Sequence, residues 1–178
     1  MSAKKQIQDL SKEFLPKIID IRRNLHSNPE LSFQEFETSK YIKSILADWG
    51  IPFQDGIADT GIVVLLKGNK PEKSCTALRA DFDALPIKEE NEVEYCSKND
   101  GIMHACGHDA HTASLLGALK ILHTIQSQWE GSVKFIFQPA EERLPGGAKQ
   151  MIAEGVLENP KVHNMFGQHV FPDLEVGK

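Results

Sequence analysis

The stretch MHACGHDAHTASLLGALKILHTIQ, residues 103–126, decides the fold. It joins a loop dense in ligand-type side chains to an apolar run of helical period. Leu115, Leu116, Leu119, Leu122 and Ile125 recur on one face, which predicts a long helix over about 109–126. Branched apolar runs lie on either side of it, at 75–80 and 133–137, and both read as strands. Strand, helix, strand is the repeating unit of an α/β layered sheet. Cys106 and His108 are too close in sequence to share a helix face, so they converge only where the chain turns or is extended. Asp109 is the expected helix cap. A helix start offers free N–H groups and a positive dipole end, which is expected to lower the pKa of a nearby thiol. Thiolate and imidazole together there imply a metal site or a nucleophile site. A lone cysteine would more simply be core packing. Three histidines, a cysteine and an aspartate within 103–111 favour the functional reading.

Moving outward, Ile7, Leu10, Phe14, Ile18, Ile21 and Leu25 predict an amphipathic helix over 5–25, with a break expected near Pro16. The turn at Ser27-Asn28-Pro29 follows. Glu30 and Glu35 read as part of a solvated turn, and His26 as a structural histidine. Phe36, Tyr41, Ile45 and Leu46 mark a second helix that closes near Gly50. The period then changes. Residues 51–54 read as a short strand, 62–66 as a buried strand, and 164–170 as a last one. A short helix is expected over 147–154, closed by Gly155. Helices alternating with strands after residue 50 predict helices on both faces of the sheet, with ligand sites just beyond the carboxyl ends of its strands.

The 178 residues suffice for one domain with its own core. Hydrophobic content of 40% and charged content of 25% are those of a globular protein. A net charge of -5 argues against a general nucleic-acid binder. No apolar run reaches membrane-spanning length, and the first residues lack the apolar core of a secretory signal, so a cytoplasmic protein is expected. Three cysteines do not suggest a disulfide framework.

Three strand ends carry charge. Asp81 and Asp83 alternate with apolar residues in RADFDALP, residues 79–86, where a turn before Pro86 is the simpler role for either alone. FIFQPAEE, residues 135–142, runs a buried strand straight into Glu141 and Glu142. One such glutamate can hold a metal while the other stays free as a base, a division suited to hydrolysis. His169 follows a strand-like segment in FGQHVFP, residues 166–172, whereas His163 reads as structural. Cys106, His108, Glu142 and His169 together offer sulfur, nitrogen and oxygen donors. That set suits zinc or another first-row divalent ion rather than magnesium or calcium, and sulfur can bridge two ions.

These motifs resemble the aminoacylase family of metallopeptidases, in particular its branch of hippurate hydrolases, N-acyl-amino-acid amidohydrolases and auxin-conjugate hydrolases. The resemblance rests on RRNLHSNPELSFQE (22–35), RADFDALP (79–86), MHACGHDAH (103–111), FQPAEE (137–142), GGAKQMIAEG (146–155) and GQHVFP (167–172). It implies a layered α-β-α catalytic domain of zinc-peptidase type, with a mixed, mostly parallel sheet. It implies two divalent metal ions, zinc or manganese before cobalt or nickel. Cys106 would bridge them, and His108, Glu142 and His169 would complete most of the shell. Glu141 would be the general base and Asp83 the acidic residue that orients the metal shell, with Asp81 of less certain role. The substrate would be a small N-acyl amino acid, and the full-length parent a homodimer. The insertion Arg143-Leu144-Pro145 departs from the glycine-rich link usual in the family. Members of the family run to about twice this length, so residues 1–178 are expected to be the N-terminal portion of the catalytic domain. Its lid and dimerisation domain, a final histidine ligand and a C-terminal segment would then be absent, leaving the piece poorly active. Two alternatives stand beside this reading: a non-catalytic metal-binding relative, and a thiol nucleophile enzyme built on Cys106 and His108.

Overall fold

A computed structural model describes residues 2–175. Two helices, α1 (Ala3–Ser27) and α2 (Phe36–Asp48), precede the strands β1 (Gln54–Ile57), β2 (Gly61–Lys67) and β3 (Cys75–Asp81). Then come α3 (His108–Thr124), β4 (Ser132–Gln138), α4 (Gly147–Ala153) and β5 (Asn164–Gly167). The strands form one sheet in the order β1-β2-β4-β3-β5. β3 runs parallel to both β4 and β5, while β2 is antiparallel to β1 and β4. The sheet is therefore mixed, as expected, but its pairings divide evenly instead of being mostly parallel. Both antiparallel pairings involve β2, which is reversed against β1 by a tight turn and also runs opposite to β4.

Side chains alternate across the strands and feed two cores. Ile62, Val64, Leu66, Phe135 and Phe137 face α1, α2 and α3, meeting Ile21, Ile42, Leu46, Leu116 and Leu119. Val63, Ala77 and Ile136 point the other way, to Met151 of α4 and Val156. Helices thus cover both faces, as a sheet buried on both sides requires.

Three local expectations are corrected. Pro16 lies inside α1 without ending it. It sits on the exposed side, where water can satisfy the carbonyl that lost its donor, while Ile21 and Leu25 anchor the helix to the core. The strand expected over 51–54 begins only at Gln54. Pro52 has no N–H to give the ladder, so pairing starts beyond it. β5 is shorter than expected, because its pairing to β3 ends at Arg79 and Gly167. No helix among the described residues is long and apolar enough to cross a membrane.

β3, β4 and β5 point the same way, and β3 and β4 end in register, Asp81 opposite Gln138. Their carboxyl ends therefore open on one edge of the sheet. Three chemically loaded segments leave from that edge, and the start of α3 returns to it.

Candidate metal centre

The loop before α3 delivers the first two ligand-type side chains. Leu85 and Met103 exchange backbone hydrogen bonds, each 3.0 Å long, which ties this loop to the exit of β3. Gly107 then turns the chain with φ +85°, and a Cβ at that position would overlap the Val170 side chain. Only glycine meets both demands. It is also the residue that caps α3, without a side-chain bond. Asp109, the expected cap, lies one residue inside the helix. Its carboxylate instead accepts from Arg22 Nε at 2.8 Å and pairs with His26 Nδ1 at 2.7 Å. The correction has a steric origin, since the left-handed turn places the helix start before Asp109.

The residues singled out from sequence come together. Cys106 Sγ lies 3.3 Å from His169 Nε2. His169 Nδ1 donates to the Val170 carbonyl at 2.7 Å, so its Nε2 lone pair faces the thiol. His108 Nδ1 donates to the Asp83 carbonyl at 2.9 Å and lies 3.2 Å from the Asp83 carboxylate. That leaves His108 Nε2 buried with no hydrogen-bond partner, 3.7 Å from Glu142 Oε1. One ligand atom each from Cys106, His108 and His169 falls within a 4.8 Å cluster, and so do those of His108, Glu141 and Glu142. Glu141 is exposed beside this group.

A third cluster, Asp81 with His108 and His111, is of the same tightness. Its Asp81 and His111 atoms are already engaged. Val170 N donates to His111 Nε2 at 2.9 Å, and His111 Nδ1 donates to Asp81 at 2.7 Å. Arg79 pairs with the other Asp81 oxygen at 2.6 Å. His111 and Asp81 thus form a strut from β3 to the segment that carries His169. The strut was not read from the sequence. The HDAH spacing places His111 one turn from His108 on one helix face, and that was the available signal.

Electrostatics explain what the cluster can hold. Burial and the neighbouring Glu142 carboxylate push the Cys106 thiol up to about 11. The lowering expected from the helix start is outweighed, first by burial and then by the nearby carboxylates. A thiol so protonated is a poor nucleophile at neutral pH, which weighs against the thiol enzyme. Burial lowers the His108 pKa, but its bond to Asp83 and the charges of Asp81, Asp83 and Glu142 raise it on balance. A thiol and an imidazole whose pKa values are both raised mark surplus negative charge. With the unpartnered His108 Nε2, this donor set fits a divalent first-row cation, which would reverse both shifts.

Asp83 is the brace of the group. It is buried, and its Oδ2 accepts from Ser32 Oγ at 2.6 Å and from Glu142 N at 3.0 Å. Burial works against its charge, yet the bonds from His108, Ser32 and the Glu141 and Glu142 amides bring its pKa down to about 2. Beside Cys106 and His169 opens a cleft of about 530 Å³, lined in part by Val93, Tyr95, Met103 and Phe171. His104, the remaining histidine of the motif, is buried at its wall, where desolvation lowers its pKa to about 4.

A family model described as peptidase family M20/M25/M40 matches residues 77–178. The N-acyl-L-amino acid amidohydrolase of Geobacillus stearothermophilus is 43% identical over 175 residues, 98% of this chain and 46% of that protein. The N-acetylcysteine deacetylase of Bacillus subtilis is 46% identical over 167 residues, 93% of this chain and 43% of that protein. The crystal structure of the Bacillus subtilis YXEP protein, described as a dinuclear metal binding peptidase, superposes with a TM-score of 0.87 at 46% identity. That match covers 93% of this chain and 46% of the other. The chain spans less than half the length of each of these relatives.

Proposed function

The chain belongs to peptidase family M20/M25/M40, and from that premise we propose that it carries the reacting groups of a metal-dependent amidohydrolase acting on N-acyl amino acids. Cys106, His108, Glu142 and His169 would hold two divalent ions, zinc or manganese. Such ions acidify water and polarise a carbonyl oxygen when bound. Glu141 takes the proton of the water that attacks the amide carbonyl. It then delivers that proton to the leaving nitrogen as the carbon–nitrogen bond breaks. Asp83 keeps the His108 ring turned so that Nε2 faces inward, and it holds the Glu142 amide. The cleft beside Cys106 offers an apolar wall to an acyl group or side chain.

The observation that carries the reading is the convergence of Cys106, His108 and His169 ligand atoms within 4.8 Å, with Glu141 and Glu142 joined to it through His108. The names of the amidohydrolase and deacetylase relatives support the substrate class. The test is elemental analysis of the purified protein with hydrolysis of a panel of N-acyl amino acids. Glu141→Ala should keep metal and lose turnover, while Glu142→Ala should lose metal. Full turnover by Glu141→Ala removes the base. Bound metal in the unsubstituted protein with no hydrolysis of any member of the panel favours the non-catalytic relative.

A further inference from the structure

The segment 28–35, NPELSFQE, links α1 to α2 and reads as a solvated turn. The structure corrects this. Glu35 is fully buried, and Ser32 nearly so. The segment lies across the exits of β3 and β4. The Glu30 carbonyl accepts from Ala84 N at 2.8 Å, and Ser32 Oγ donates to Asp83. Glu35 Oε1 accepts from Ala140 N at 2.8 Å, and its Oε2 accepts from Thr60 Oγ1 at 3.2 Å.

Ala140 directly precedes Glu141 and has φ +48°, a conformation sparsely populated by a residue with a Cβ. A non-glycine residue stays there only when its surroundings over-determine it. Here they do. The Ala140 amide is held by Glu35, and the Glu142 amide by Asp83. Two buried carboxylates from different parts of the chain thus grip the N–H groups on either side of Glu141. Glu35 touches neither the cleft-lining residues nor the metal-ligand candidates through any of these bonds. Its reach to the chemistry runs through the backbone of Ala140.

We propose that Glu35 is a positioning residue: through the Ala140 amide it sets where the Glu141 carboxylate stands relative to the His108–Glu142 pair. The proposal rests on Glu141 being the base, as argued above. Misplacing a reacting group by about 1 Å costs on the order of 100-fold in rate. Glu35→Met removes the acceptor at similar volume, and Glu35→Gln keeps a carbonyl oxygen for Ala140 N and an amide that can donate to Thr60 Oγ1.

The experiment measures kcat, KM, metal content and amide hydrogen exchange at Ala140 in the full chain with Glu35→Met, Glu35→Gln and Glu141→Ala. Glu35→Met should lose about 100-fold in kcat with KM and metal content nearly unchanged, and the Ala140 amide should exchange freely. Glu35→Gln should restore protection of that amide and bring kcat to within about 10-fold of the unsubstituted protein. Unchanged kcat in Glu35→Met, with Glu141→Ala inactive, overturns the positioning role and leaves the base assignment standing. Full turnover by Glu141→Ala overturns the base assignment itself. If Glu35→Met does not fold, Glu35→Gln decides alone: a folded Gln variant with an unprotected Ala140 amide or a 100-fold loss refutes the acceptor role.

Discussion

Cys106 and His169 stand 63 residues apart in the chain, yet Sγ and Nε2 are 3.3 Å apart. The thiol lies against an imidazole whose other nitrogen is tied to the Val170 carbonyl. With its pKa pushed to about 11, that thiol is protonated at neutral pH in the metal-free protein. Metal uptake should therefore release about one proton from Cys106. Titration calorimetry with zinc in buffers of different ionisation enthalpy checks this, and Cys106→Ser should release correspondingly less. Equal release from both proteins would show that the thiol is not a ligand.

Asp83 makes the folded protein acid-sensitive. Its carboxyl falls from an ordinary 3.8 to about 2 on folding. The charged form is the one the fold favours, so this contribution is complete above about pH 4 and disappears as pH falls through about 2. The shift corresponds to about 2 kcal/mol. Asp83→Asn in the metal-free protein should flatten the loss of stability between pH 4 and 2, measured by urea unfolding. An unaltered pH slope in that variant would contradict the assignment.

His26 acts with the opposite sign. It bridges Asp109 at 2.7 Å and Glu89 at 3.0 Å, and its bond to Asp109, against burial, raises its pKa above 6.5. Its stabilisation is full below pH 6.5 and is lost as pH rises through the higher folded value. Glu89 also holds Ser97 N at 2.6 Å, so the bridge anchors the loop that walls the cleft. The His26 ring should titrate above 6.5 by NMR, and the Ser97 amide should exchange faster in His26→Ala.

Lys134 is buried on the α4 face of the sheet, where burial lowers its pKa. Its ammonium donates to the carbonyls of Val156, Glu158 and Pro160 at 2.8, 2.7 and 3.2 Å. Lys134→Met should lower Tm, since each carbonyl left without a partner costs about 1–3 kcal/mol. A Tm unchanged in thermal unfolding would mean that water replaces the ammonium without loss.

Much of the architecture was legible from short-range pattern. The helical spacing of Leu115 to Leu122 and the branched runs at 62–66 and 133–137 predict elements that the fold contains. These signals survive because apolar periodicity records which face each element buries. The errors fell where a single residue competes with its surroundings. Pro16 did not break α1, and Asp109 did not cap α3, since packing and the Gly107 turn outweighed local preference.

The sequence alone determined which residue types are available and which strand ends carry them, for a thiol, an imidazole or a carboxylate is a covalent property of its position. Only the tertiary structure decided who meets whom. Parallel β3, β4 and β5 bring distant segments to one edge, Glu35 and Ser32 become buried braces instead of turn residues, and His111 spends its lone pair on Val170. Such bonds join groups with no fixed sequence separation, so no periodicity encodes them. They follow from the requirement that buried polar groups find partners once the sheet has closed.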